Sequence, residues 1–375
     1  VIAVKKLVLT NFRNFHSKKI DFSSNLVLLA GANGVGKTNI LESLTLLGHN
    51  SYLRSVNFEE MISEDQKTQK KQQQFGIYAE ISGHEFIEKI GVSFDLKQKK
   101  KLFEINEESF NSKRQSHNKN HLINFIFLTP QLEQLFILGK SERRSYLDKI
   151  VSDLDFEHAK RVNNYHKLLK ERLLILQKYY TKKSAGKWLQ AIENQIVELG
   201  LAIASARIEA IDFFNKAIAS FASNFPRPKL QVIGNIEELV MKQSSVRLEE
   251  FYKKQLQENQ TSDLKNFRTG FGVHRSDFDA VFVEKNALAT RCSTGEQKSI
   301  MIGISLARAK ISARYKNQPT ILIFDEIVSH LDEKRKNNLF AEISDTSLQS
   351  FFSATTIDLI PSDYIINKSM QIVEL

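Results

Sequence analysis

Near its start the chain alternates. Val4, Leu7 and Leu9 are set among polar residues and lead into Asn11-Phe12-Arg13-Asn14-Phe15, a pattern that predicts strands. A second apolar run, Leu26-Val27-Leu28-Leu29-Ala30, is unbroken and stops at Gly31, which predicts a strand buried on both faces. From Lys37 the period becomes helical, with Ile40, Leu41, Leu44 and Leu47 on one side. A β-meander is expected over about 75–110, with strands Phe75 to Ile81, Phe86 to Phe94 and Leu102 to Ile105 before a turn at Asn106-Glu107-Glu108. Two lysine-rich stretches flank this region, Glu64 to Gln74 and Lys97 to Lys101, and both are expected as exposed loops or hairpin tips.

Beyond Asp155 the rhythm is helical for a long way. One stripe runs through Tyr165, Leu168, Leu169, Leu176 and Tyr179 and breaks at Lys182 to Gly186. Another runs from Trp188 through Ile192, Ile196, Leu199, Ile203, Ile211, Phe214 and Ile218 to Phe221, ending before Pro226 and Pro228. At about 1.5 Å per residue the second helix would reach roughly 55 Å, an arm or lobe and not a long coiled coil. After Phe267 the text returns to α/β, with strands at Thr320 to Phe324 and near Gln349 to Ser353. The expected organisation is an α/β ATPase head split between 1–154 and 261–375, with residues 155–260 inserted as a mostly helical second lobe.

Composition narrows the class. The chain has 375 residues, 42% hydrophobic and 26% charged, as soluble globular proteins do. No apolar run approaches the ~20 residues that span a bilayer. Its opening residues read as a strand and not as a signal peptide. A lone cysteine, Cys292, excludes an intramolecular disulfide or a cysteine zinc cage and fits a reducing cytoplasm. The net charge of +10 favours a polyanionic partner such as nucleic acid, though many basic proteins bind none.

The chemistry sits in four short segments. Gly31-Ala32-Asn33-Gly34-Val35-Gly36-Lys37-Thr38 fits the phosphate-loop pattern GxxxxGK[ST] and falls between a buried strand and a helix. Its N–H groups and the helix N-terminus suit phosphate oxygens, Lys37 suits the β- and γ-phosphates of ATP, and the Thr38 hydroxyl suits Mg²⁺. Ile321-Leu322-Ile323-Phe324-Asp325-Glu326 ends a buried strand in two carboxylates: Asp325 to hold Mg²⁺, Glu326 to polarise the attacking water as a general base. Ser293-Thr294-Gly295-Glu296-Gln297 then resembles the signature of ABC-type ATPases, and Ser329-His330-Leu331-Asp332 resembles their D-loop. Taken alone, the former is also a sound helix N-terminus capped by Ser293 or Thr294. The ABC resemblance implies that signature residues complete the ATP site of a partner in a head-to-tail dimer.

More of the text resembles one branch of that family, the bacterial RecF recombination-repair ATPases. The resemblance is carried by Asn11 to Phe15, by Asn33 to Glu42 including Asn39, and by Arg54. It continues through Leu128-Thr129-Pro130-Gln131, through Gly139 and Ser141 to Asp148, and through Gly272-Val273-His274-Arg275-Ser276-Asp277. Val273 and Ser276 depart from the branch's usual proline and aspartate, and Ser353-Ala354-Thr355-Thr356 stands where transporters carry a switch histidine. The resemblance implies Gln131 as a further ATP and Mg²⁺ contact, ATP-dependent homodimers on single-strand/double-strand DNA junctions at gaps, and weak DNA-stimulated hydrolysis. It also implies cooperation with RecR and RecO in loading RecA. Lys160, Arg161, Lys167, Lys170 and Arg172 on the helical arm are candidate DNA contacts, or simply a solvated face. The rival classes are the ATP subunit of an ABC transporter, a small-molecule kinase and a long-armed chromosome protein. The interval from Lys37 to Ser293 is far longer than transporters keep, and a kinase would leave the signature and D-loop idle.

Overall fold

The structure, a computed structural model, describes residues 2–48, 57–64, 71–83, 87–106, 108–110, 123–179, 185–242, 244–315, 318–367 and 369–375. Arg54 and residues 65–70 of the first lysine-rich stretch lie outside them. Strands β1 (Ala3–Phe12), β2 (Phe15–Asp21) and β3 (Leu26–Ala30) precede helix α1 (Lys37–Leu46). Next come β4 (Gln74–Ser82), β5 (Ile87–Asp95), β6 (Lys100–Ile105), β7 (Glu108–Phe110) and β8 (Asn124–Leu128), then helices α2 (Pro130–Glu133), α3 (Lys140–Ser152), α4 (His158–Tyr179) and α5 (Ala185–Ser220). β9 (Lys229–Ile233), α6 (Asn235–Val240), α7 (Ser245–Glu258), α8 (Gln260–Asn266), β10 (Asp277–Phe282) and β11 (Ala287–Leu288) follow. The chain ends through α9 (Thr294–Tyr315), β12 (Thr320–Asp325), α10 (Glu333–Thr346), β13 (Gln349–Ala354), α11 (Ser362–Ile366) and β14 (Met370–Glu374).

The chain divides into two compact units. Unit one holds residues 1–133, 223–225 and 301–375. Its centre is a parallel sheet in the order β14-β3-β13-β12-β8. Every residue of β3, β8, β12 and β13 is buried, which is why these strands read as apolar runs without alternation. A second, antiparallel sheet runs β2-β1-β4-β5-β6-β7 and keeps the alternation of a sheet with one dry face. Its inner face (Leu7, Leu9, Phe12, Phe75, Ile77, Val92) shares one core with α1 and the parallel strands. Ile40, Leu41 and Leu44 of α1 are fully buried there, each contributing about 1.5–3 kcal/mol. That burial anchors a helix whose N-cap, Gly36, offers no side-chain acceptor to the first N–H groups.

Unit two holds residues 134–222 and 226–300. The pair α4 and α5 forms its spine, with Tyr165, Leu169 and Ile175 against Ile192, Ile196, Val197 and Ile203, joined by Tyr252 and Leu256 of α7. A small antiparallel sheet, β11-β10-β9, belongs to the same unit.

These units cut the chain elsewhere than the hydrophobic pattern does. Residues 134–154 and 261–300 fall with the helical unit and not with the head, so the signature segment and the acidic strand are in different units. Long-range contacts hold them there: Phe136 and Tyr146 pack on Phe278, Arg143 of α3 chelates Asp277 at the start of β10 through Nε and Nη2, both at 2.8 Å, and Arg207 of α5 holds Asp148 of α3. Periodicity carries no trace of which distant residues pair. The expected turn at 106–108 also continues into the short strand β7. Among the described residues no helix is long and apolar enough to cross a membrane.

Candidate nucleotide site

The phosphate loop leaves the C-terminal end of β3 and curls back into α1. Gly34 and Gly36 have φ of 86° and 110°, backbone that side-chain-bearing residues rarely adopt. At Gly36 a Cβ would also lie 2.5 Å from the Phe15 ring and 2.7 Å from the Asn14 amide. Lys37 is buried, and its Nζ donates to the carbonyls of Gly31 at 2.6 Å and Ala32 at 2.9 Å, so the ammonium is held over the loop's own backbone. Ala32, Asn33 and Gly34 are exposed at the loop crest, and Val35 is half-buried.

The opening motif braces this loop, a role its sequence did not disclose. Arg13 chelates Glu42 of α1 through Nε and Nη2, both at 2.9 Å, and its Nη1 donates to the Glu60 carbonyl. Asn14 donates to the Val35 carbonyl at 3.0 Å and accepts from Asn39 at 2.9 Å. Glu42 is buried among the apolar residues of α1, and a carboxylate there demands a partner cation. That placement was the available signal.

At the end of β12, Asp325 and Glu326 come beside the loop. The Thr38 hydroxyl donates to Asp325 Oδ1 at 3.1 Å, and Ser353 Oγ lies 2.7 Å from the same oxygen. Glu326 is left-handed at φ 57°, which costs about 1–3 kcal/mol for a residue with a side chain and is a feature of functional sites. Its N–H donates to Ser353 Oγ at 2.8 Å. Lys37, Thr38, Asp325, Glu326 and Ser353 are thus gathered at the carboxyl ends of neighbouring parallel strands, where open α/β sheets place their ligands. Gln131 is exposed in α2, just beyond the end of β8 on the far side of β12. Thr38 and Asp325 offer hard oxygen donors of the kind Mg²⁺ takes alongside phosphates. Among the described residues no cluster of three or more His, Cys, Asp or Glu could hold a metal by itself. Ser329 Oγ donates to the Glu326 carbonyl at 2.6 Å, and Asp332 caps α10 by accepting from the Arg335 N–H.

The signature segment begins α9 in unit two. Ser293 and Glu296 form a capping box: Glu296 Oε2 accepts from Ser293 N and Oγ, both at 2.9 Å, and the Glu296 N–H reaches back to Ser293 Oγ at 3.4 Å. Lys285 and the Ser293 donors hold the Glu296 carboxyl well below its ordinary range. Gln297 is buried and ties the preceding turn through Ala289 and Cys292 carbonyls, while Ser293 and Thr294 are exposed and Gly295 is half-buried.

The arm candidates separate. Lys160, Lys167 and Lys170 are exposed, and Arg161 is half-buried against Asp155 at 2.8 Å. Arg172 is corrected: it is 0% exposed and bonds Glu193, Asp263, Thr269 and the Leu256 carbonyl, so no phosphate can reach it. It is a structural cation.

The Gly272 to Asp277 segment is the hub of unit two. His274 Nε2 donates to the Thr269 carbonyl at 2.8 Å, so Nδ1 accepts from Tyr165 at 3.0 Å, and burial pushes this imidazole down to about 4. Gly272, at φ 134°, lets the backbone pass where a Cβ would stand 2.3 Å from the Tyr252 hydroxyl and 2.4 Å from that of Tyr165. Ser276 donates to the fully buried Glu237, which Arg207 also holds at 3.0 Å. An aspartate at 276 would set a second carboxylate against Glu237, whereas the serine donates a hydrogen bond to it.

Comparison with known proteins agrees with this architecture. Residues 3–361 match the family model described as RecF/RecN/SMC N terminal domain. The DNA replication and repair protein RecF of Rickettsia felis is 32% identical over 361 residues, covering 95% of this chain and 94% of its own. RecF of Rhizobium rhizogenes is 32% identical and covers 94% and 92%. Among solved structures, the recombination mediator protein RecF-ATP in the RecFOR pathway superposes with a TM-score of 0.79 at 23% identity, covering 95% of this chain and 92% of that one. The Smc head of Pyrococcus furiosus bound to ScpA gives 0.51 at 16% identity, covering 96% and 91%. These likenesses fix the ABC-type ATPase head as the fold and leave the transporter reading without support. By its full-length match and its ATPase architecture, the chain belongs to the RecF family of DNA replication and repair proteins.

Proposed function

We propose that this chain is an ATP-dependent DNA-binding protein of recombinational gap repair and replication restart, acting in the cytoplasm on single-strand/double-strand junctions. It hydrolyses ATP weakly, faster on DNA, and works with RecR and RecO to load RecA. The observation that carries this reading is the match to RecF proteins over the whole chain together with a complete hydrolytic set, Lys37, Thr38, Asp325 and Glu326, at one end of the parallel sheet. The relatives solved as RecF-ATP support ATP as the nucleotide.

In this reading the loop's N–H groups and the N-terminus of α1 take the phosphates, and Lys37 turns from its carbonyls to the β- and γ-phosphate oxygens. Thr38, Asp325 and Gln131 are the residues that would hold Mg²⁺, which when bound offsets charge on the phosphate oxygens. Glu326 takes the proton of the attacking water. Ser293 and its neighbours Thr294, Gly295 and Glu296, with Ser329 and Asp332, face the nucleotide of a second copy, so that ATP closes a head-to-tail dimer, while the buried Gln297 supports the segment from behind and does not reach that nucleotide. The exposed Lys160, Lys167 and Lys170 meet DNA through its phosphates, which predicts little sequence preference.

The test is gel filtration of Glu326→Gln with ATP and a gapped duplex. The variant should bind ATP, hydrolyse little and elute as a DNA-bound dimer. Elution as a monomer under those conditions would sink the proposal.

A further inference from the structure

Ser353 is fully buried in β13, directly opposite Asp325 in the parallel register. Its Oγ accepts from the Glu326 N–H at 2.8 Å and lies 2.7 Å from Asp325 Oδ1. An amide can only donate, so the single hydroxyl proton goes to the carboxylate. One side-chain atom therefore spans the peptide that joins the two acidic residues. That peptide leads into the left-handed backbone at Glu326, the turn that sets where its carboxylate emerges. Asp325 Oδ1 receives a second hydroxyl, from Thr38, so the serine also fixes the carboxylate that Thr38 addresses. With its proton on Asp325, Ser353 has none to offer a phosphate, and the exposed Thr355 and Thr356 are the hydroxyls left in that stretch for such contact.

We infer that Ser353 is a positioning residue for hydrolysis: it locks the Asp325–Glu326 peptide so that Glu326 is aimed at the attacking water, and it does not itself touch nucleotide. The inference rests on the reading of Asp325 and Glu326 as the hydrolytic pair. It makes the hydroxyl matter for turnover and not for affinity. A role confined to packing would be insensitive to the hydroxyl, and a role in binding ATP would appear in the nucleotide affinity.

The experiment uses the full chain with ATP, Mg²⁺ and gapped DNA, and reads kcat, KM, the affinity for a fluorescent ATP analogue, and Tm. Ser353→Ala should lower kcat by about tenfold to a hundredfold, the usual loss when a supporting partner of an active-site group is removed. Its KM and analogue affinity should stay within about twofold of wild type, since the interaction is made for the chemical step. Ser353→Thr, which restores the hydroxyl, should recover most of the rate. In a Glu326→Gln background Ser353→Ala should add no further loss, because the group it positions is already gone. An unchanged kcat in Ser353→Ala, or a loss that lies wholly in affinity, overturns the inference. If Ser353→Ala shows no melting transition, Ser353→Cys takes its place, and wild-type turnover in that folded variant overturns the inference equally. Glu326→Gln separates the two levels: wild-type hydrolysis by it removes the catalytic pair itself, whereas an inactive Glu326→Gln beside a normal Ser353→Ala removes only the role of the serine.

Discussion

Arg172 shows how burial changes what a positive charge is for. It lies at helical spacing from Tyr165, Leu168 and Leu176, so the apolar stripe of α4 already put it on the inner face, and its charge alone argued for solvent and DNA. Burial decides between the two: the guanidinium is sealed between Glu193 and Asp263, at 2.9 and 2.7 Å. Removing it leaves two carboxylates without a counterion in low dielectric. Arg172→Leu should therefore lose about 3–5 kcal/mol of stability, measured by urea denaturation. Any folded fraction should bind DNA as the wild type does; an undiminished stability with weakened DNA binding would restore the surface role. At the phosphate loop, by contrast, the sequence was readable residue by residue, because Gly31 to Thr38 must satisfy a fixed backbone shape whatever surrounds it. Ser353 was not readable in the same way. Small polar residues are frequent near strand ends, and only the register that sets Ser353 against Asp325 gives this one a task.

Among the elements, β3, β12 and β13 were legible as runs and the two arm helices as stripes, since burial on both faces or on one stripe leaves a direct mark on the order of residues, whereas β8 and the half-buried edge strand β14 were not read as strands. The strands β9, β10 and β11 left none, because their mixed burial gives neither an unbroken apolar run nor a clean alternation. The apolar packing of α3 is joined by ion pairs to α4 and α5, and these have a pH signature. Burial pushes the Asp148 carboxyl up, but His158 and Arg207 outweigh that and hold it below its ordinary aspartate value. A carboxyl depressed on folding contributes stability above its unfolded pKa and loses it as pH falls through the folded one. Asp277, likewise depressed by Arg143 against its own desolvation, adds to the same acid limb. Asp148→Asn should thus destabilise the protein by about 1–3 kcal/mol at pH 7. It should also show a shallower loss of stability on acidification, read from urea midpoints down the acid range. An acid limb as steep as that of the wild type would mean that other carboxyls set it.

For the molecule as a whole, the proposed dimer makes Ser293 the most exacting residue, because its surroundings give it no duty beyond capping α9. Ser293→Arg should keep ATP binding and hold its fold, yet remain monomeric with ATP and DNA by gel filtration. Normal dimerisation of that variant would mean the signature does not complete a partner's site. The order of strands in the parallel sheet carries one more consequence. β3, which bears the phosphate loop, is made early, yet its neighbours β13 and β14 and the acidic β12 come from the far end of the chain. During synthesis the loop must wait, with both edges of its strand unpaired, until almost everything else has left the ribosome. ATP therefore cannot rescue a stalled or truncated chain. Contacts so distant along the polymer also close slowly, and unpaired strand edges are where a nascent chain is prone to aggregate.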